Sequence, residues 1–377
     1  MKRLIWFYRL LIFAIFCGLN GCQPAGVINR HQKLLLPDNP KNLTQSSLRK
    51  IIKQSVYNQY FSAREPDGFD FTAIDKYAQK APDGVKTNTK TLSAYLVKPA
   101  RNDWEKVRAI YTWIIYNIAY DTRVFDGIKV STDPTDVLRT GYSICSGYSD
   151  LFSDLAVAAG IEIESISGCG KGHGYQESAN STKTNHAWNA VKIDGKWHLF
   201  DATWGAGGVD KNREFIKDPT CYWFDTPPDE FIFSHLPEDI TWQLLPASIP
   251  ANDFLRLPRL TETYFESGFS GRDAITCSGT GFSFKFPVTY DPGNINYRIV
   301  KAPMPGVLRS GQQYYFQFYA PGKEVLLIKN GSENIRITTK TGYFAALVSA
   351  NPGTIKICLP KADSGNQYAV LIEYEVQ

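Results

Sequence analysis

The stretch from Cys145 to Asp201 constrains this chain more than any other part of it. It presents a cysteine, a histidine and an aspartate in that order, each in a different local setting. After Ser143-Ile144-Cys145, the residues Tyr148, Leu151, Phe152, Leu155 and Ala159 recur at helical spacing and Gly160 supplies a stop. The spacing predicts an amphipathic helix whose first turn carries Cys145. Unpaired backbone N–H groups and the helix dipole favour negative charge there, so a thiol at that place gives up its proton more readily. Farther on, Asn185–Ile193 and Lys196–Thr203 alternate as strands do, and Asp194-Gly195 between them is a two-residue hairpin signal. That turn sets Trp188 opposite Asp201 and His186 opposite Thr203. His186 and Asp201 then become diagonal neighbours on one face, roughly 7–8 Å apart at the backbone. A register slip of one residue would place them on opposite faces.

Each residue alone has a bland explanation. A buried cysteine is usually a small core residue, a strand histidine is usually structural, and an aspartate beside a tight turn usually forms the turn. Asp201, however, stands away from the turn in an otherwise apolar strand, where a carboxylate needs a partner. Order and hairpin geometry together favour a reactive group of three: Cys145 as nucleophile, His186 as the base that takes its proton, and Asp201 orienting the imidazole.

The same residues carry a family resemblance. The run W-I-I-Y-N-I-A-Y-D, then I-C-S-G-Y-S, N-H-A-W-N-A-V, W-H-L-F-D-A-T-W-G and H-L-P-E-D resembles the transglutaminase-like superfamily, and within it the kyphoscoliosis-peptidase branch, over roughly residues 70–246. The resemblance implies the same roles for Cys145, His186 and Asp201. It also implies an α+β, papain-like core in which the cysteine helix packs on an antiparallel sheet. Sites of this kind use a second, side-chain donor to the oxyanion, and no residue upstream of Cys145 is matched to that role.

The N-terminus reads as a targeting segment over residues 1–22. Lys2, Arg3 and Arg9 precede an apolar run from Leu10 to Leu19, too short for an ordinary membrane-spanning helix. The run ends in Leu19-Asn20-Gly21-Cys22, which resembles a bacterial lipobox with Cys22 as the lipidated residue; an ordinary cleaved signal and an uncleaved anchor are the alternatives. The expectation is a protein of the bacterial cell envelope, tethered to the membrane through residues 23–43 or else secreted. Of the seven cysteines, Cys17 leaves with the signal, Cys22 takes lipid and Cys145 stays free; among the rest a Cys277–Cys358 bridge is possible, and Cys169–Cys221 is a weaker pairing. A net charge of +4 with no basic block gives no sign of a nucleic-acid partner.

The expected domains are a core over 44–249 that includes N-terminal helices, and a β-rich domain over 250–377. Residues 44–65 read as a helix, as do Phe71–Tyr77, Thr91–Leu96 and Asn102–Tyr120, the last with a wide apolar stripe and an aromatic set, Trp113, Tyr116 and Tyr120, assigned to the core. The run Gly168-Cys169-Gly170-Lys171-Gly172-His173-Gly174 lacks the helix and Lys-Ser/Thr of a phosphate loop and the repeated C-x-x-C of a zinc site, so neither cofactor nor metal is expected. It reads as a flexible loop near His186. His235, between prolines, is a rival base but reads as a structural turn. After a linker over 250–275, short strands separated by turn residues predict an immunoglobulin-like β-sandwich. The expected activity is cysteine-dependent acyl transfer on a polypeptide: hydrolysis if water accepts the acyl group, crosslinking if a lysine amine does. A non-catalytic envelope scaffold is the reading from a different class.

Overall fold

The computed structural model describes residues 70–173, 175, 181–279, 284–293, 295–361 and 367–377. The expected targeting segment with Cys22, the tether and the helix over 44–65 lie outside the described residues. Among those described, no helix is long and apolar enough to cross a membrane.

Among the described residues three α-helices come first: α1 (Thr72–Gln79), α2 (Thr89–Leu96) and α3 (Asp103–Asn117). Asn102 starts α3 by accepting the Glu105 N–H, and the helix buries Val107, Ile110, Tyr111, Ile114 and Ile115. The apolar stripe predicted a helix reaching Tyr120, but it stops three residues earlier. Ile118 is extended, and Ala119–Tyr120 form strand β1. The expected aromatic set therefore splits: Trp113 is in the core, Tyr116 is exposed, and Tyr120 is half-buried. The chain then runs through a short 3-10 turn, Thr122–Asp126, to α4 (Pro134–Thr140), capped by Asp133. Strand β2 (Tyr142–Ser143) pairs parallel with β1, setting Tyr120 beside Ser143.

Helix α5 (Cys145–Ala158) begins at the cysteine, and Gly160 follows it at φ +75°, a left-handed conformation that ends the helix at little steric cost. Its face of Leu151, Phe152 and Leu155 is fully buried with the apolar residues of α3. Strands β3 (Glu162–Gly170), β4 (His186–Ile193) and β5 (Lys196–Phe200) follow. Asp194 and Gly195 both take positive φ, +51° and +76°, which fits the type I′ turn expected of this dipeptide. The short helix α6 (Ala202–Gly205), the hairpin β6 (Gly207–Val209) and β7 (Phe215–Lys217), helix α7 (Pro228–Phe231) and strand β8 (His235–Pro237) complete this half.

The central sheet has the order β5-β4-β3-β8, and all three pairings are antiparallel. Its two faces bury different layers. Val191, Ile193 and Phe200 join the core under α3 and α5; Ile166, Trp188, Ala190 and Leu199 face the other way, toward Trp223 and Phe231. Polar bonds fix α5 on the sheet: Ser149 Oγ donates to Trp188 O (3.1 Å), and Asn189 Nδ2 donates to Ser149 O (3.2 Å). The glycine run is a loop only beyond Gly170. Gly168 and Gly170 are strand residues, and a Cβ on Gly168 would lie 2.2 Å from Leu236 O, so β3 and β8 can approach only because it has none.

The linker forms α8 (Ala251–Arg256), α9 (Glu262–Glu266) and α10 (Gly271–Ser278). Beyond it come β9 (Val288–Thr289), β10 (Arg298–Lys301), β11 (Val307–Leu308), β12 (Gln313–Tyr319), β13 (Val325–Asn330), β14 (Glu333–Thr338), β15 (Tyr343–Ser349), β16 (Gly353–Pro360) and β17 (Tyr368–Val376). They make two sheets, β10-β12-β15 and β11-β17-β16-β13-β14, with β9 pairing on β17. Phe316, Phe318 and Phe344 of the first sheet pack into one core with Ile328, Ile357 and Tyr374 of the second. The Cys277–Cys358 bridge does not form. Cys358 in β16 is a free, buried thiol whose Sγ contacts Lys356 O, as a small core residue would. Cys169–Cys221 does not form either, since the free Cys169 thiol turns to Ser181 O.

Candidate active site

The register of the hairpin runs as its turn predicts, Asn189 opposite Phe200 and Ile193 opposite Lys196. The strand β5 nevertheless ends at Phe200, so Thr203 lies in α6 and is not the cross-strand partner of His186. The reason is Asp201 itself. Its Oδ1 accepts the N–H groups of Thr203 (2.8 Å) and Trp204 (3.0 Å), which caps a helix and turns the chain out of the sheet. Its other oxygen, Oδ2, lies 2.7 Å from His186 Nε2. The carboxylate is fully buried and His186 nearly so.

Cys145 comes to the same place from the other layer. The β1–β2 pairing delivers the chain to Ile144, and the first residue of α5 is the cysteine. Its thiol lies close enough to His186 and to the Ala187 backbone N–H for both to favour the thiolate. The structure thus brings Cys145, His186 and Asp201 together, with His186 between the thiol and the carboxylate it bonds.

The electrostatics follow from burial and pairing. Burial raises the pKa of the Cys145 thiol, but the hydrogen bond and charge of His186, with the Ala187 N–H, outweigh it and hold the thiol below its ordinary value. Burial disfavours the charged form of His186, yet Asp201 and then Cys145 push it up to about 10. Burial also opposes the charge of Asp201; His186 and His235 overcome this and hold the carboxyl well below the usual range. Every lone-pair direction of the buried anion is served, which is the condition for keeping such a charge away from water.

The fourth member is one that the sequence reading set aside. His235 is not in a turn. It opens strand β8, and its Nε2 lies 3.1 Å from the same Asp201 Oδ2. Its distance from Asp201 in the chain hides this contact; the H-L-P run is the local signal that β8 begins here. The two histidines and the aspartate offer three ligand atoms within 4.8 Å of one another, enough to ask whether they hold a metal. The donor atoms are in direct hydrogen-bond contact with the carboxylate, at 2.7 and 3.1 Å, and this set reads as a proton-sharing network.

His186 lines a cleft of about 890 Å³, with Tyr120, Phe125, Trp204, Trp223 and Glu262 among its walls. Tyr120 stands beside the Cys145 segment, and burial, with the nearby Cys145 charge, pushes its phenol up to about 12, so it stays a proton donor. The helical pattern hid this residue, because β1 is only two residues long. One wall of the cleft is fixed by Lys171. Its buried ammonium donates to Phe254 O and Leu257 O, both at 2.8 Å, and so ties the end of β3 to the last carbonyls of α8. This too departs from the expected flexible loop.

Residues 90–202 match the sequence pattern of the transglutaminase-like superfamily. The chain is 40% identical to kyphoscoliosis peptidase of Mus musculus over 178 residues, 46% of this chain and 27% of that protein. It is 29% identical to kyphoscoliosis peptidase of Homo sapiens over 310 residues, 81% of this chain and 43% of that one. It is 31% identical to the Lim and transglutaminase domain protein ltd-1 of Caenorhabditis elegans, over 53% of this chain and 29% of that one. The chain spans less than half the length of each of these relatives. The cysteine helix on its antiparallel sheet and these similarities agree: residues 90–202 carry a transglutaminase-like domain, and the chain around it is similar to the kyphoscoliosis peptidases.

Proposed function

We propose that this protein is a cysteine-dependent acyl-transfer enzyme acting on amide bonds of polypeptides, with Cys145 as nucleophile, His186 as base and acid, and Asp201 as the orienting carboxylate. One observation carries the reading: His186, bonded at 2.7 Å to the buried Asp201 and lining a cleft, sits beside a Cys145 thiol whose charged form it favours. The sulfur shares its proton with His186, and the thiolate attacks the amide carbonyl carbon. The carbonyl electron pair moves to oxygen. The Cys145 backbone N–H at the start of α5 is one donor to that oxyanion, and the Tyr120 hydroxyl is the side-chain donor at hand. The His186 imidazolium gives its proton to the nitrogen, the C–N bond breaks, and a thioester remains. Water then attacks the thioester, His186 accepts its proton, and the acid leaves as the sulfur is released.

Water as acceptor makes the protein a peptidase, the reading supported by the names of two relatives. The N-terminal features favour action at the cell envelope, from a lipid anchor at Cys22. The test is iodoacetamide labelling at neutral pH beside digestion of fluorescent casein. Cys145 is expected to react ahead of every other thiol, and Cys145→Ala to lose the digestion. Equal labelling of all accessible thiols, with casein digested alike by both proteins, would overturn the proposal. Casein left intact by a protein whose Cys145 is selectively labelled, with an amine probe incorporated instead, would assign the crosslinking reaction.

A further inference from the structure

The acyl-transfer reading leaves one fully buried titratable group without a task. His235 is 1% exposed and sits on the far side of the Asp201 carboxylate from Thr203 and Trp204. Its ring stacks on Phe231 at 3.9 Å between centroids and is flanked by Trp204 at 4.4 Å and Trp188 at 5.0 Å. This aromatic packing alone would hold a phenylalanine equally well. What a phenylalanine could not supply is the pair of polar contacts at the ring's two nitrogens: Asp201 Oδ2 at Nε2 (3.1 Å) and Ser234 Oγ at Nδ1 (2.8 Å).

The tautomer follows from the partners. An ionised carboxylate only accepts, so Nε2 carries the hydrogen. Burial among aromatic rings lowers the imidazole to about 4 against the hydrogen bond and charge of Asp201 and the contact with the Phe231 backbone, so at neutral pH the ring is neutral and Nδ1, without a hydrogen, accepts. The Ser234 hydroxyl is its donor. That hydroxyl also lies 3.3 Å from Phe231 O, but it has a single hydrogen, and the shorter contact to Nδ1 takes it. Ser234 also lines the cleft.

We propose that Ser234 and His235 form a positioning pair that holds the Asp201 carboxylate in register with His186, a role that rests on the acyl-transfer reading. Oδ1 is fixed by the start of α6, and Oδ2 is fixed between two imidazoles that differ in their work. His186 exchanges protons with the sulfur. His235 keeps its own and supplies an N–H of constant direction. Without that second donor the carboxylate can turn about its Cα–Cβ axis, and His186 loses a fixed partner at the moment it must carry charge.

The experiment measures the rate of iodoacetamide alkylation of Cys145 in four full-length proteins, together with the downfield imidazole N–H resonance of the His186–Asp201 bond. His235→Phe keeps the ring stack and removes both polar contacts. It is expected to slow alkylation about tenfold, the cost of one hydrogen bond to a charged group, and to broaden or shift the resonance. His235→Gln keeps an N–H donor toward Asp201 and an acceptor toward Ser234, and is expected to stay within about threefold of the parent protein. Ser234→Ala removes the donor to Nδ1 and with it one of the two polar anchors of the ring, and is expected to fall between the two. Phe at the parent rate, or Gln as slow as Phe, would overturn the proposal, since packing alone would then account for His235. Should the Phe variant not fold, Ser234→Ala decides, and the parent rate with an unchanged resonance counts against the pair. A parent protein whose Cys145 is no more reactive than its other thiols defeats the acyl-transfer reading instead, a result distinct from all of these.

Discussion

The two halves of this chain bury different things. Around the central sheet, the interior holds Glu105, Arg108, Asp121, Lys171, His186, Asp201 and His235, all charged or titratable and all hydrogen-bonded. In the sandwich from β9 to β17 the buried polar side chains among the described residues are Gln317 and Asn330, and the interior is otherwise Phe, Ile, Leu, Val, Ala, Cys and Tyr. An apolar core gains stability from area removed from water and asks little of geometry beyond close packing. A buried ion is tolerable only where each partner is placed to within a few tenths of an ångström. The first half therefore has the means to fix a charged reactive group, and the second has the means to be a firm body.

That contrast can be broken by experiment. The largest effect is expected in the sandwich: Phe316→Ala, at a fully buried ring between the two sheets, should cost about 3–5 kcal/mol of stability. Denaturant unfolding measures the loss, and the alkylation rate of Cys145 in the folded fraction should stay unchanged. A changed rate would mean that the halves are not separable in this way. The reverse is expected of His186→Ala, which should slow Cys145 alkylation about 100-fold at pH 7 while near-UV circular dichroism is preserved.

Asp201→Asn is the next sharpest probe. Asparagine retains the acceptor that caps α6 but loses the charge that supports the imidazolium, so alkylation should fall about 10- to 100-fold with little loss of helix. Tyr120→Phe should leave alkylation alone, because no oxyanion forms in that reaction, and should lower amide turnover about tenfold. Equal effects on both assays would remove Tyr120 from the oxyanion role.

The smallest effect is a pH dependence. The pKa of His186 is raised from 6.5 to about 10 in the folded protein, so its contribution to stability is complete below pH 6.5 and is lost as pH rises through about 10. Melting temperature should therefore fall further across that window in the parent protein than in His186→Gln. Asp201 acts in the opposite direction: its carboxyl is lowered from 3.8, so its contribution is present above that value and fades as acid protonates it. Parallel melting curves for the two proteins would show that the buried pair adds nothing to stability in this window.

Much of this was legible in local residue patterns. Helical spacing after Cys145 and the Asp194-Gly195 turn are short-range signals, and both act within a few residues of where they are read. The run of short strands after the linker was legible too, because turn residues punctuate it at short intervals. Less legible were the ends of elements where a side chain intervenes. Asp201 cuts β5 short by capping α6, and Ile118 ends α3 before its apolar stripe does.

The chain alone determined that a cysteine would head a helix and that a hairpin would bring a histidine near an aspartate, since periodicity and turn chemistry need no distant partner. Folding in three dimensions decided the rest. His235 reaches Asp201 only because β8 pairs with β3, Tyr120 reaches the Cys145 segment only because β1 pairs with β2, and Lys171 finds its acceptors 83 and 86 residues away on α8. Each of these contacts joins backbone segments whose pairing depends on the whole core having assembled, and no local pattern of apolar and polar residues records it.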